Sequence, residues 1–156
     1  MHKTLFIFLM LFWFVGLSQV GVGVFITSPN QHPGAVLVGA RTDSDSSVIW
    51  ALPGGHLEYA EDWITCAARE VHEQTGLVAT NIRFATLDNS IEVESEPLNK
   101  EPEKIQHWQW AVWDSPDFDQ MPLFAGLHNV RSAGYHPFKN GGQALPVLPP
   151  QGALSW

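Results

Sequence analysis

Cysteine and basic side chains are scarce in this sequence, and each shortage excludes a class of protein. The single cysteine, Cys66, cannot form an internal disulfide, and no Cys/His pair has zinc spacing, which argues against a disulfide scaffold or structural zinc module. The 156 residues include 8 Lys and Arg against 16 Asp and Glu, a formal net charge of −8. A chain this acidic lacks the basic patch that nucleic-acid binding needs. The length predicts one domain, with Cys66 as a buried small residue.

The first nineteen residues have the composition of a targeting segment. Lys3 is followed by an uncharged apolar run over residues 5–17, and Gly16 and Ser18 supply small residues near its end. This is the layout of a secretory signal peptide, and the run is shorter than the roughly 20 residues that span a bilayer. Two interpretations stay open for residues 1–19: a cleaved signal or short anchor, and an aberrant start upstream of the first strand that is no address at all.

Hydrophobic patterning predicts an α/β domain over residues 20–139. Apolar runs rich in β-branched and aromatic residues predict strands at 20–26, 35–40, 48–52, 82–87 and 108–113. Apolar positions at helical spacing predict a helix at 63–75, with Asp62 as its N-cap and Gly76 at its end, and a second at 123–132. The Glu-rich segment 88–106 is predicted to be a loop, and the Gly- and Pro-rich residues 140–156 a flexible tail.

The chemistry is concentrated on the first predicted helix and the glycines before it. Glu70, Glu73 and Gln74 stand at i, i+3 and i+4, so they project from one helix face. Clustered carboxylates repel one another unless a cation holds them, and oxygen ligands favour Mg²⁺ or Mn²⁺ bridging to substrate phosphates. The alternative is an ordinary solvated helix face. Gly54 and Gly55, placed where a backbone must turn and approach a ligand closely, favour the metal site.

The spacing of these residues resembles the box of the Nudix hydrolases, G-x5-E-x7-R-E-U-x-E-E-x-G-U, in which U is aliphatic. The positions that match are Gly55, Glu61, Arg69, Glu70, Val71, Glu73, Gly76 and Leu77. Segments at 96–97, 101–104, 108–110, 123–127 and 135–138 are similar to the nucleotide triphosphate diphosphatase branch of that family. The resemblance covers the chain from about residue 20 to residue 138 and implies an α/β/α sandwich around a mixed sheet.

The resemblance also implies a reaction, a cofactor and a set of site residues. Water would attack a phosphorus of a nucleoside triphosphate, modified purine nucleotides included, and release the monophosphate and pyrophosphate with Mg²⁺, or alternatively Mn²⁺, as cofactor. The implied catalytic residues are Glu70, Glu73 and Arg69, the last as an orienting partner of Glu61. The implied metal ligands are Glu70, Glu73 and Gln74. The implied substrate-binding residues are Gly54, Gly55, Leu52, Phe124, Gly126 and Leu127, for whose apolar members ordinary core packing is the alternative.

Three departures from the family pattern bear on activity. Gln74 stands where the box has a second consecutive glutamate, and its amide oxygen can coordinate a metal but brings no charge. Ala60 replaces a glycine, which would strain the loop if that position needs a positive φ. Between Ile91 and Ser95 the chain is shorter than its relatives, so a central strand is predicted to be missing. A missing strand would leave an open sheet edge, through which a homodimer could form.

Three functions are compatible with these features. The first is a Mg²⁺-dependent Nudix pyrophosphohydrolase acting on nucleoside triphosphates. The second is a Nudix-like nucleotide-binding or interaction module whose turnover is impaired by Gln74 and the shortened sheet. The third is a secreted interaction protein, for which residues 1–19 are the evidence. The family resemblance favours a cytoplasmic location, whereas a functional signal at residues 1–19 would mean secretion or membrane anchoring.

Overall fold

The computed structural model describes residues 21–79, 82–84, 89–93 and 95–139. The signal-like residues 1–19 and the predicted tail at 140–156 lie outside this part of the chain, so both remain predictions. The elements in chain order are β1 (Gly21–Ser28), β2 (His32–Thr42), β3 (Val48–Ala51), β4 (Gly54–His56), α1 (Trp63–Thr75), β5 (Arg83–Phe84), β6 (Asn89–Glu92), β7 (His107–Val112), α2 (Pro116–Gln120) and α3 (Ala125–Ser132). Within the described residues no helix has the length and apolarity needed to cross a membrane.

The strands form one mixed sheet around β1 and β2. The main path runs β3-β2-β1-β6-β5, while β4 pairs with β1 and β7 pairs with β2. The pairing of β1 with β6 is parallel, and the other pairings are antiparallel. The first three residues of β1 pair with β4 and the next four, Val24 to Thr27, pair with β6, so β1 contacts both the glycine segment and the centre of the sheet.

Helices cover both faces of this sheet. Successive residues of β1 alternate between two apolar clusters, with Phe25 in one and Val24 and Ile26 in the other. The Phe25 cluster includes side chains of α2 and α3, and the Val24 cluster includes Ala67 and Val71 of α1. The predicted α/β/α sandwich with a mixed sheet is therefore confirmed.

Helix α1 begins and ends at the predicted residues because its end signals are local. Asp62 accepts hydrogen bonds from the backbone N–H groups of Ile64, at 2.9 Å, and Thr65, at 3.0 Å, as an N-cap does. Gly76 takes the left-handed conformation, with φ of +71°, that ends a helix. Cys66 is a fully buried free thiol, as predicted.

The prediction of a loop over 88–106 is wrong at Asn89–Glu92, which forms β6. Its residues pair in parallel with β1 from Val24 to Thr27, and the Val93 N–H continues the contact by donating to the Thr27 carbonyl at 2.8 Å. The edge of β1 is thus paired with β6 over these residues, and a homodimer remains a prediction. The residue pattern at 89–92 does not predict a strand. This strand forms through backbone pairing with β1, and strand formation depends on such context.

Four other elements differ from the sequence prediction. The predicted helix at 123–132 begins at Ala125, and the short helix α2 is missed. Strand β4 forms at the two glycines that are predicted to make a turn. Sequence patterning misses it because glycine has little strand preference, and the pairing here is imposed by β1. The strand predicted at 82–87 is described only as β5.

The loop before α1 contains the strained position that the sequence predicts. Ala60 has a φ of +61°, in the left-handed region that favours glycine, and its side chain is exposed. We expect Ala60→Gly to raise the free energy of unfolding by about 1 kcal/mol, measured by denaturant unfolding. The matched control is Ala133→Gly, at an exposed residue with a φ of −73°, which should lower that free energy instead. Equal effects of both substitutions would contradict strain at Ala60.

Candidate active site

Strand β4 runs between β1 and α1, and its first two positions have space for glycine only. A Cβ atom on Gly54, whose φ is +154°, would lie 2.1 Å from the Val22 carbonyl oxygen. A Cβ atom on Gly55 would lie 2.1 Å from Oε1 of Glu70. Both distances are shorter than any real contact, so the glycine pair lets the backbone pass directly against β1 on one side and the Glu70 carboxylate on the other.

Arg69 lies at the centre of the acidic residues. Its Nε and Nη2 donate to Oε1 and Oε2 of Glu61 at 2.8 and 2.9 Å, a bidentate pair that confirms the predicted contact. Nη1 donates to Glu70 Oε1 at 3.0 Å and to Glu73 Oε2 at 3.3 Å. Nη2 also donates to the carbonyl oxygen of His56 at 3.1 Å. One guanidinium group therefore joins the loop before α1, the helix itself and strand β4.

This contact network shifts the pKa values of its members. The hydrogen bonds from Arg69, and a further bond from the backbone N–H of Glu58, lower the pKa of Glu61 from an ordinary 4.5 to about 2. The hydrogen bonds to Glu61 and Glu70 raise the pKa of Arg69. Burial, reinforced by the charge of Glu61, raises the pKa of the Cys66 thiol to about 11. At neutral pH the ion pair is therefore fully formed, and the thiol is protonated and unreactive.

Gln74 is buried against β4 and uses both ends of its amide. Oε1 accepts from the Gly54 N–H at 3.2 Å, and Nε2 donates to the Gly54 carbonyl at 2.8 Å. Nε2 donates also to Oε2 of Glu70 at 3.1 Å. The sequence analysis names Gln74 as a metal ligand through its amide oxygen. The structure places that oxygen on a backbone N–H group beside Glu70.

Two carboxylates of α1, those of Glu70 and Glu73, converge on the same atom of Arg69. Glu70 and Glu73 both accept from Nη1 of Arg69, and the Glu70 side chain is 13% exposed against 50% for Glu73. In the described part of the chain, no group of three His, Cys, Asp or Glu side chains is arranged to hold a metal ion. Mg²⁺ commonly binds through one or two carboxylates, waters and substrate phosphates. The residues thus fit an ion that the substrate helps to hold, not a closed all-protein cage.

A cavity of about 300 Å³ lies on the other side of the glycine pair. All six predicted substrate-binding residues line it, namely Leu52, Gly54, Gly55, Phe124, Gly126 and Leu127. Leu127 also belongs to the core, whereas Phe124 is 48% exposed and so is not a core residue. Phe124 is fixed at the rim by backbone hydrogen bonding to Trp50 at 2.8 Å, beside the parallel bridge of Trp50 with Leu123.

Sequence reasoning misses two polar residues that line the cavity. Arg41 lies outside the predicted strand at 35–40, but β2 continues through it, opposite Ile49 of β3. Within the described residues, no acidic side chain forms an ion pair with Arg41. His56 lies outside the predicted strands and helices and belongs to β4. The pairing register of β2 and β4 is the signal that would have found both residues.

The comparisons with known proteins agree with this architecture. A NUDIX domain model matches residues 17–125. Over 71 residues the chain is 34% identical to the m7GpppN-mRNA hydrolase NUDT17 of Xenopus laevis, covering 44% of this chain and 23% of that protein. The crystal structure of a MutT NUDIX hydrolase from Burkholderia pseudomallei aligns with a TM-score of 0.59 at 19% identity, covering 73% of this chain and 95% of that chain.

A second solved structure gives a similar result. The MutT protein of Methanosarcina mazei Go1 aligns with a TM-score of 0.55 at 20% identity, covering 74% of this chain and 91% of that chain. At identities this low, the two structural alignments show a shared fold alone. The chain spans about a quarter of the length of the Xenopus relative.

The lowered pKa of Glu61 predicts how acid destabilises the protein. The unfolded carboxyl takes up a proton near its ordinary 4.5 and the folded one only near about 2, so the Glu61 contribution is complete above the first value and lost towards the second. We expect the difference in Tm between the wild type and Glu61→Gln to be largest near neutral pH and to shrink between these two values. Thermal melts across that pH range measure it.

The matched control is Glu103→Gln, at an exposed glutamate outside the Arg69 network. Its Tm difference from the wild type should stay small at every pH. A Glu61→Gln difference that does not change with pH would show that the ion pair with Arg69 contributes nothing to acid sensitivity.

Proposed function

The chain belongs to the Nudix hydrolase family, and from that premise we propose that it is a Mg²⁺-dependent pyrophosphohydrolase of nucleoside triphosphates, modified purine nucleotides among them. The observation that supports this most is the position of the glycine pair. Gly54 and Gly55 line the cavity, and the same two residues contact Gln74 and Glu70 of α1. A nucleotide in the cavity would therefore place its phosphates beside the carboxylates.

The proposed reaction is hydrolysis of the bridge between the α- and β-phosphates. A new bond forms between water oxygen and one of these two phosphorus atoms, the bond from that phosphorus to the bridging oxygen breaks, and the water proton passes to solvent. The products are the nucleoside monophosphate and pyrophosphate, with no redox change. Glu70 and Glu73 would hold Mg²⁺, or Mn²⁺ in its place, which would neutralise phosphate charge and lower the pKa of bound water.

The chain's own residues have three tasks in this proposal. Arg69 holds the Glu70 carboxylate in one orientation by its hydrogen bond at 3.0 Å. Phe124, Leu52 and Leu127 supply the apolar walls that contact a flat base. Arg41 supplies positive charge to an anionic substrate within a protein whose net charge is −8.

A second function, nucleotide binding with impaired turnover, rests on Gln74. The family glutamate at this position would add a negative charge beside Glu70, and the amide adds none. The cavity does not depend on that charge. This alternative therefore predicts that the protein binds nucleotides and hydrolyses them slowly or not at all.

Pyrophosphate release distinguishes the two functions. The full-length protein is incubated with a panel of nucleoside triphosphates in Mg²⁺, in Mn²⁺ and in chelator, and pyrophosphate and phosphate are measured separately. We expect pyrophosphate as the product, no release in chelator, and a loss of about 100-fold in Glu70→Gln because a metal ligand is removed.

If the protein melts cooperatively and binds nucleotides but releases no pyrophosphate, the result would favour the nucleotide-binding module with impaired turnover. Glu103→Gln serves as the control, because it removes one carboxylate charge outside the site. A loss in Glu103→Gln equal to that in Glu70→Gln would mean that total charge, not the site, controls the rate.

Arg41 is expected to act in substrate binding. Arg41→Ala should raise KM about tenfold and change kcat by less than about threefold, because the charge contacts the substrate in both the ground and transition states. Steady-state kinetics with the best triphosphate measures both. Lys139→Ala, which removes a positive charge outside the cavity lining, should leave KM unchanged. A fall in kcat alone in Arg41→Ala would contradict this assignment.

A further inference from the structure

We propose that Gln74 is a positioning residue that joins β4 to the carboxylate of Glu70, and not a ligand of the metal ion. The inference deepens the proposed function, on which it rests for the metal and for turnover. It departs from the expectation that the amide oxygen of Gln74 coordinates the ion.

The first support is that the amide oxygen and both amide hydrogens of Gln74 bond to protein groups. It receives one hydrogen bond from Gly54 and returns one to the same residue, at 3.2 and 2.8 Å. A two-point contact of this kind fixes both the distance and the rotation of the backbone relative to the helix. Gln74 is 8% exposed, so breaking the contact would leave polar groups buried without partners.

The second support is that Gln74 belongs to a row of contacts between α1 and β4. Arg69 donates to the His56 carbonyl, the Glu70 carboxylate lies against Gly55, and Gln74 holds Gly54. Three side chains of the helix thus hold the three residues of the strand. The contact of Gln74 with Glu70 Oε2 makes the row continuous, since Arg69 holds the other oxygen of the same carboxylate.

A glutamate could not make the same set of contacts. A carboxylate can accept from the Gly54 N–H but has no hydrogen to donate to the Gly54 carbonyl or to Glu70. It would face two oxygen atoms that Nε2 now contacts at 2.8 and 3.1 Å, and the repulsion would favour uptake of a cation. With glutamine at position 74 the site is therefore ordered without a metal ion. With glutamate at that position, the site would need the metal ion to become ordered.

The test uses the full-length chain with Gln74→Met, which keeps the length of the side chain and removes all three of its hydrogen bonds. NMR measures hydrogen exchange at the Gly54 amide, and Mn²⁺ affinity is measured by electron paramagnetic resonance. We expect exchange about fivefold faster or more, kcat lower by about tenfold with little change in KM, and Mn²⁺ affinity within about twofold of wild type. Gln109→Met, at an exposed residue of β7, is the matched control and should change none of these.

Gln74→Glu provides the opposite variant, and it decides the matter if Gln74→Met does not fold. We expect its Mn²⁺ affinity to rise about tenfold and its Tm in chelator to fall, with the lost stability returning as Mn²⁺ is added. Gln109→Glu controls for the added charge. Equal affinity in wild type and Gln74→Glu would overturn the proposal.

Two further outcomes would overturn it. One is unchanged Gly54 exchange in Gln74→Met, and the other is a loss of Mn²⁺ affinity in that variant as large as in Glu70→Gln. Failure of the proposed function has a different signature. If wild type and Glu70→Gln both fail to bind Mn²⁺ or to turn over substrate, the enzyme proposal fails, whereas Gly54 exchange still reports whether Gln74 positions β4.

Discussion

The site depends on one guanidinium group surrounded by carboxylates. Arg69 contacts Glu61, Glu70 and Glu73, which would repel one another without a cation between them. Its remaining donor reaches the His56 carbonyl, so the charge that relieves this repulsion also joins the loop, helix and strand. An acidic protein can in this way keep carboxylates close to a substrate-sized cavity without losing the packing of α1 on the sheet.

Local signals explain which parts of the fold are predictable. Helix α1 follows from Asp62, Gly76 and the helical spacing between them, all within one segment. Strand β6 does not follow from its own residues, because its pairing is decided by the free edge of β1, far away in the chain. The glycines of β4 similarly carry no strand preference, yet a neighbouring strand and a helix hold them extended.

The same distinction divides the residues of the site. The positions of Glu70, Glu73 and the glycine pair follow from fixed spacing along one loop and helix. The orientation of the Gln74 amide depends on where the β4 backbone runs, and the exposure of Arg41 to the cavity depends on the pairing register of β2. Those two features require tertiary structure, since no pattern along the chain encodes the distance between the elements.

The parallel pairing of β1 with β6 has a consequence for how the chain folds. Parallel neighbours cannot be joined by a hairpin, and here the connection includes β2, β3, β4 and α1. Strand β1 leaves the ribosome first among the described elements, and its parallel partner β6 is synthesised only after α1. Until β6 is made, the edge of β1 that it covers has no strand partner, so that edge is open to pairing with another chain.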